Sequence, residues 1–89
     1  MDATYEIEKR TPAGNWQTVH TGVTDPAGLM AEIARNYDSD RETPFMELEA
    51  AIQEQLDDPS RGYAVMSVCD MTEDGSEGDQ IEYRATIEN

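Results

Sequence analysis

The sequence predicts a small α+β domain with the element order ββααββ. Three observations predict it: alternating polar and apolar residues near both ends of the chain, two proline-marked helix starts in the middle, and turn-forming residues between these segments. We expect a four-stranded antiparallel sheet with both helices packed on one face. A chain of 89 residues has room for one modest core, so residues 1–89 are expected to form a single domain.

The first two strands are predicted to form a hairpin. In TYEIEK, Tyr5 and Ile7 share one face and the polar residues share the other, which is typical of a half-buried strand. TPAGN contains a proline and a glycine and predicts the turn. WQTVHTGV follows as the second strand, with Trp16 and Val19 as the expected packing residues.

The first helix is predicted to begin at Asp25 and Pro26. The Asp25 side chain is expected to cap the helix N-terminus, and Pro26 suits the first helical position because its fixed φ angle is already helical. The apolar residues that follow recur at helical spacing and are expected to face the core. They are Leu29, Met30, Ile33, Ala34 and Tyr37.

The second helix repeats this pattern in TPFMELEAAIQEQLDDP, with Thr43 as the expected cap and Pro44 after it. Pro59 is expected to end the helix, because proline cannot continue its backbone hydrogen bonding. The predicted core-facing residues are Phe45, Leu48, Ile52 and Leu56.

The last two strands are predicted from GYAVMSVCD and QIEYRATIE. GYAVMSVCD is apolar on both faces, which predicts a central strand that is covered on both sides. QIEYRATIE alternates polar and apolar residues, as a half-buried strand does. Its expected inward residues are Ile81, Tyr83, Ala85 and Ile87.

Between these two strands, CDMTEDGSEGDQIE resembles part of an EF-hand calcium loop, counted from Asp70. Such a loop needs a bidentate glutamate at position twelve, which here is Ile81, and Glu82 falls one residue late. An EF-hand also needs helices on both sides, whereas strands are predicted here. We therefore expect a hairpin tip, with Gly75 and Gly78 as turn formers, and no metal site.

The negative charge is concentrated in two segments. Residues 38–58 contain eight acids and one arginine, a net charge of −7, and residues 70–82 contain six acids and no base, a net charge of −6. The rest of the chain carries −1 of the total of −14. A halophile's surface, the first alternative, would carry acids everywhere, although the single lysine fits it. A second alternative is that the acidic runs are simply solvated loops.

The amount of charge favours a function for it. A compact domain of this length has a diameter of roughly 30 Å, so one net charge would occur per about 2 Å, close to the ~1.7 Å of B-form DNA. Glu47 and Glu54 are two helical turns apart on one side of the second helix, about 10 Å, with Asp58 continuing the row. Grouped charge destabilises a fold by self-repulsion, which indicates a compensating use.

Few residues suit catalysis. His20 is the only histidine and lies in a predicted strand without an acidic neighbour in sequence, while Cys69, the only cysteine, ends a predicted core strand. The sequence has no glycine-rich phosphate loop, cysteine pair or histidine cluster. We therefore predict a protein that is not an enzyme and uses no cofactor.

The charge and hydropathy also predict where the protein acts. A net charge of −14 repels phosphate groups, so we expect no direct binding to nucleic acid or to an anionic membrane. No apolar stretch has the length of a membrane-spanning helix, and the first residues lack signal-peptide character. These features predict a cytoplasmic protein, in the cytoplasm of the host cell if a phage encodes it.

In size and charge alone, the chain resembles the small acidic proteins of phages and mobile elements that imitate DNA to block restriction, CRISPR or repressor proteins. The resemblance rests on no shared motif and assigns no residue roles. It implies an inhibitor of the anti-CRISPR or anti-restriction kind, which mimics a DNA or RNA backbone and occupies the basic nucleic-acid-binding site of a host protein. We expect a monomer or weak dimer. The candidate partner-binding residues are Asp38, Asp40, Glu42, Glu47, Glu54, Asp57, Asp58, Glu73, Asp74, Glu77 and Asp79.

A different class of function stays open. In YAVMSV, the two-sided apolar pattern predicts an outer face that something must cover, with Met66 and Val68 as the candidate contacts. That patch would suit an accessory or antitoxin-like protein that binds one basic partner through apolar contact. A halophile-type acidic domain of unrelated role is the remaining alternative.

Overall fold

The fold is α+β with the predicted order ββααββ. It is described by a computed structural model over residues 3–37, 40–71 and 77–88, with the backbone alone at residues 70, 71 and 77. The four strands form one antiparallel sheet in the order β2-β1-β4-β3. The elements are β1 (Tyr5–Arg10), β2 (Gln17–Val23), α1 (Pro26–Ala34), α2 (Phe45–Asp57), β3 (Tyr63–Met71) and β4 (Glu77–Ile87).

Both helices pack on one face of the sheet, as predicted. Across that face Ile7 of β1 lies opposite Ala85 of β4, and Ala85 lies opposite Ala64 of β3. The two small alanines leave space for helix side chains, and Met30 of α1 is fully buried there. The buried core consists of Ile7, Ala27, Met30, Ala31, Ala34, Ile52, Ala64, Val68, Tyr83 and Ala85.

The start of α1 agrees with the prediction. The backbone N–H of Gly28 donates to Asp25 Oδ1 at 3.1 Å, so the Asp25 side chain caps the helix. A Cβ atom at Gly28 would collide with the same carboxylate, which explains a glycine at this buried position.

The start of α2 differs from the prediction. Pro44 occupies the cap position with an extended backbone, φ −58° and ψ 138°, and no side chain caps the helix. Thr43 as the cap was therefore wrong: proline's fixed φ suits the residue before the helix as well as the first residue within it. The helix begins at Phe45 and carries an acid, Glu47, in its first turn. Its negative charge interacts favourably there with the helix dipole.

The prediction that β3 is a central strand was wrong. β1 and β4 occupy the middle of the sheet, and β3 lies at one edge. Its two apolar faces have separate causes: Ala64 and Val68 are buried under the helices, whereas Val65 lies half-buried on the opposite face and Tyr63 is 40% exposed. An apolar run therefore marked a strand with one packed face and one partly open face.

β2 forms the other edge, and Val19 does not pack as predicted. Its side chain is 42% exposed, and of the β2 residues only Val23 packs against the core. Trp16 lies just before the strand rather than in it. The β1–β2 pairing contains register irregularities between Tyr5 and Glu8, which is how edge strands are commonly kept from pairing further.

The molecule is more elongated than a compact sphere. It measures 48 × 29 × 22 Å, because β3 and β4 are nine and eleven residues long and strands rise about 3.3 Å per residue. Within the described ranges, neither helix is long and apolar enough to cross a membrane.

Candidate functional site

The solvent face of α2 presents acidic side chains. Glu47, Glu54 and Asp57 are exposed, while Ile52 on the opposite side is buried in the core. This division follows from the helical period, which places residues three, four and seven apart on one face. The helix contains no basic residue. We call Glu47, Glu54 and Asp57 the acidic helix face.

Within the described part of the chain, the acids of this face form no ion pair, although Arg61 lines the same recess as Glu54. Two ion pairs, Arg10–Glu82 at 2.6 Å and Arg84–Glu8 at 3.0 Å, lie on the helix-free face of the sheet. The charge of the acidic helix face therefore faces solvent and is available to a cationic partner.

The loop before α2 contributes two more of the predicted residues. Glu42 is exposed, and Asp40 is half-buried in a turn whose backbone links Tyr37 to Asp40 and Asp40 to Thr43. Asp38 lies outside the described residues. The loop thus adds at least one exposed acid next to the start of the acidic helix face.

Asp58 lies just past the end of α2, on the side of the helix that carries Glu54, and the two residues line the same recess. The helix ends at Asp57, and Asp58 has an extended backbone with φ −75° and ψ 111°. Its Oδ1 accepts hydrogen bonds from the Ser60 hydroxyl at 2.7 Å and the Ser60 N–H at 2.9 Å. These bonds, with the nearby Arg61 charge, hold the pKa of the Asp58 carboxyl below its ordinary value. The Asp58 carboxylate therefore stabilises the turn that follows α2.

The second acidic segment is only partly described. Glu73 and Asp74 lie outside the described residues, and β4 begins at Glu77, which pairs with Met71. Glu77 and Asp79 therefore belong to a strand rather than to the hairpin tip, and the Asp79 side chain is exposed. The loop that was compared with a calcium site is thus flanked by strands.

The ends of β3 and β4 that pair at Met71 and Glu77 lie toward the N-terminal end of α2. Gln55 contacts Val65 at one end of the helix, and the chain reverses between α2 and β3 over residues 58–62. From Val65 the strand runs about 20 Å to Met71, while the helix runs about 15 Å from Gln55 back to Phe45. Asp79 and Glu47 therefore lie toward the same end of the molecule.

The helix-free face differs from the acidic helix face because it carries arginines that stack on an aromatic ring. The sequence interpretation did not predict this arrangement. The guanidinium carbons of Arg84 and Arg10 lie 4.2 and 4.6 Å from the centre of the Trp16 ring, within cation–π range. The register places Arg84 opposite Glu8 and Arg10 opposite Glu82. The alternation of Glu8 and Arg10 along β1 was the available signal, since cross-strand pairs on one face interact.

A recess of about 370 Å³ opens on this face beside Trp16. Tyr63 forms part of its wall, and the guanidinium of Arg61 lies 5.0 Å from the Tyr63 ring centre. Val65 and Thr86 also line it. Trp16, which was expected to pack in the core, and Tyr63 thus partly cover the open sheet face, together with three of the six bases of the chain.

The apolar patch predicted on β3 is not formed by the expected residues. Val68 is 2% exposed and Met66 packs against the core, so neither is an outer contact. The residues of β3 that face away from the helices are Tyr63, Val65 and Ser67, because side chains alternate along a strand.

Over the described ranges, no cluster of three or more acidic, histidine or cysteine side chains is arranged to hold a metal ion. Comparisons with protein-family models, with curated proteins and with solved structures find no match to this chain.

Proposed function

We propose that this protein is a non-enzymatic inhibitor that binds a basic protein and occupies its nucleic-acid-binding site. The observation that carries the proposal is the uneven pairing of charge. Ion pairs form on the helix-free face, where Glu8 and Glu82 meet Arg84 and Arg10. The acidic helix face has no base among its own residues, so its field extends into solvent.

The spacing of the charges supports mimicry of a phosphate backbone. Dividing the 48 Å length by the 14 net charges gives about 3.4 Å per charge, close to the ~3.4 Å phosphate spacing of one nucleic-acid strand. The sphere-based value of about 2 Å was too small because the molecule is elongated. A groove lined with lysine and arginine would meet a charge density similar to that of a single strand.

The proposed partner is a protein or complex that itself binds DNA or RNA, such as a restriction enzyme, a CRISPR effector or a repressor. The inhibitor acts in the cytoplasm of the host cell, as a monomer or weak dimer. It does not contact nucleic acid, because its net charge repels phosphate groups. Electrostatic attraction speeds such an association and makes it sensitive to salt.

The test is capture of a partner from a bacterial lysate, followed by competition with DNA and RNA. We expect nucleic acid to displace the protein and affinity to fall steeply as salt is raised. Reversing Glu47 and Glu54 to lysine should weaken binding at least tenfold. A matched control reverses Glu6 and Glu32, which lie on the helix-free face and on α1, for the same change in net charge.

Two results would contradict the proposal. The first is a Glu47→Lys/Glu54→Lys variant that remains folded and binds as tightly as the parent. The second is a complex in which the partner holds nucleic acid and this protein together without loss of affinity for either.

A further inference from the structure

At the outer edge of β3, a side-chain amide forms the hydrogen bonds that a neighbouring strand would form. Gln55 Oε1 accepts a hydrogen bond from the Val65 N–H at 3.1 Å, and Gln55 Nε2 donates to the Val65 carbonyl at 3.0 Å. In a narrow antiparallel pair, two facing residues exchange the same two bonds. The Gln55 side-chain amide thus occupies the place of a peptide group from a neighbouring strand.

The next position along this edge is open. Because backbone groups alternate in direction along a strand, Ser67 directs its N–H and carbonyl outward in the same sense as Val65. Within the described part of the chain, these two Ser67 groups have no hydrogen-bond partner, and the residue is exposed. An unpaired edge of this kind is a template for another extended chain.

β3 suits strand addition better than the other edge of the sheet. Its pairing with β4 keeps one register from Tyr63 to Cys69, so this stretch presents evenly spaced groups. The β1–β2 pairing is irregular, and Gly22 of β2 has a φ of 64°. A bulged, twisted edge accepts a strand poorly.

The charge beside the edge indicates which segment would bind. α2 packs along β3. Glu54, the residue before Gln55, lies on the exposed side of α2. One helical turn before Gln55 lies Ala51, an exposed small residue, which leaves space next to the edge near Ser67. An incoming strand would therefore meet carboxylates on the α2 side, and these attract lysine and arginine.

We propose that the β3 edge beyond Val65 binds an extended, lysine- or arginine-bearing segment of the partner by β-strand addition. The segment pairs with Ser67 through its main chain, and its basic side chains meet the acidic helix face. Gln55 stays in place as the adjoining hydrogen-bonded rung. The inference rests on the proposed function, since it states how the same basic partner is held.

The probe is an acetylated eight-residue peptide of alternating lysine and threonine, added to isotope-labelled protein and followed by NMR. Binding should slow hydrogen exchange of the Ser67 amide at least tenfold, because a free edge amide becomes hydrogen-bonded. A peptide N-methylated at every residue keeps its charge and loses its main-chain donors on both edges. It should bind about five- to tenfold more weakly, and a glutamate–threonine peptide should not bind.

A matched pair of variants tests the protein side. Ser67→Pro removes the outward N–H without removing a bond to β4, a position where edge strands tolerate proline. It should weaken the lysine peptide about five- to tenfold, whereas Ser67→Ala, which keeps the N–H, should change affinity less than twofold. If Ser67→Pro unfolds, the N-methylated peptide still tests, on the unaltered protein, whether main-chain hydrogen bonds hold the peptide.

The outcomes separate this inference from the proposed function. Equal affinity for the parent and N-methylated peptides, or no binding of the lysine peptide, overturns strand addition and leaves mimicry standing. Strand addition stands and mimicry falls if Ser67→Pro weakens the peptide while nucleic acid does not compete with the protein for its lysate partner.

Discussion

Gln55 and Val65 are joined by two hydrogen bonds that link a helix side chain to the backbone of an edge strand, at 3.0 and 3.1 Å. This contact fixes the C-terminal part of α2 against β3. It also holds the acidic helix face in a constant position relative to the sheet. A rigid arrangement of carboxylates binds a rigid cationic site with less loss of conformational entropy than a mobile one.

Replacing Gln55 with alanine should destabilise the fold by about 1–3 kcal/mol, because it leaves two half-buried backbone groups of Val65 without partners. Urea unfolding followed by circular dichroism measures the change. Gln53→Ala is the matched control, since Gln53 lies on the exposed side of the same helix and donates to Asp57; its effect should stay within about 0.5 kcal/mol. Equal effects of the two variants would show that the Val65 contact contributes little.

Gln55 illustrates what could and could not be predicted from the sequence. The helix starts and the alternating strands were predictable, because capping residues, prolines and side-chain periodicity act locally. The strand order was not, because the position of β3 depends on which strand β4 pairs with across the whole chain. Gln55 follows Ile52 on the packed side of α2, and a polar residue there signals a buried hydrogen bond without naming its partner.

The candidate site was predictable to a similar extent. Glu47 and Glu54 lie on the exposed face of α2, as their spacing predicts. Asp58 lines the same recess as Glu54, but the sequence did not reveal that the helix ends one residue earlier or that Ser60 engages the Asp58 carboxylate. The stacking of Arg10 and Arg84 on Trp16 depends on the β1–β4 register, which composition and periodicity do not reveal.

The hydroxyl groups of Tyr37 and Tyr83 lie 2.8 Å apart and link the segment after α1 to the sheet. Their rings also meet edge to face, with centroids 6.2 Å apart. Tyr37→Phe should cost about 1 kcal/mol. A double-mutant cycle with Tyr83→Phe should give a coupling energy of about 0.5–1.5 kcal/mol. A cycle that pairs Tyr37→Phe with Tyr5→Phe is the additive control, and coupling of equal size there would remove the evidence for a specific bond.

Arg84 contacts both Glu8 and the Trp16 ring, and both contacts are lost in Arg84→Met. We expect this variant to lose about 1–2 kcal/mol more stability than Arg35→Met. The expected difference is small because the Arg84–Glu8 ion pair is partly exposed, so solvent screens its attraction. Arg35 is exposed, and its removal changes the net charge by the same amount, so the difference isolates the local contacts.

Fluorescence of the single tryptophan gives an independent check on the Arg84 contact, because loss of the stacked guanidinium changes the surroundings of the indole ring. The emission maximum should shift in Arg84→Met and stay unchanged in Arg35→Met. An equal loss of stability in both variants would mean that only the overall charge matters at this face.

The Asp58 carboxyl should make the stability of the protein depend on pH through Ser60. Its pKa is lowered first by the Ser60 hydroxyl, then by the Ser60 N–H and the charge of Arg61. A carboxyl whose pKa is lower in the folded state stabilises the fold above its unfolded pKa, and this contribution is lost as pH falls through the folded value. Ser60→Ala removes the largest of these causes, so the Asp58 pKa should rise toward its ordinary value.

Carbon-detected NMR titration of the Asp58 carboxyl measures that rise, and urea unfolding at several pH values measures its consequence. Ser60→Ala should be less stable than the parent at neutral pH, and the difference should vanish in acid once Asp58 is protonated in both proteins. Ser67→Ala is the control, because this exposed serine contacts no carboxylate in the described part of the chain. Its effect should be the same at every pH. A Ser60→Ala deficit that persists unchanged in acid would show that the hydroxyl stabilises the turn without acting on the charge of Asp58.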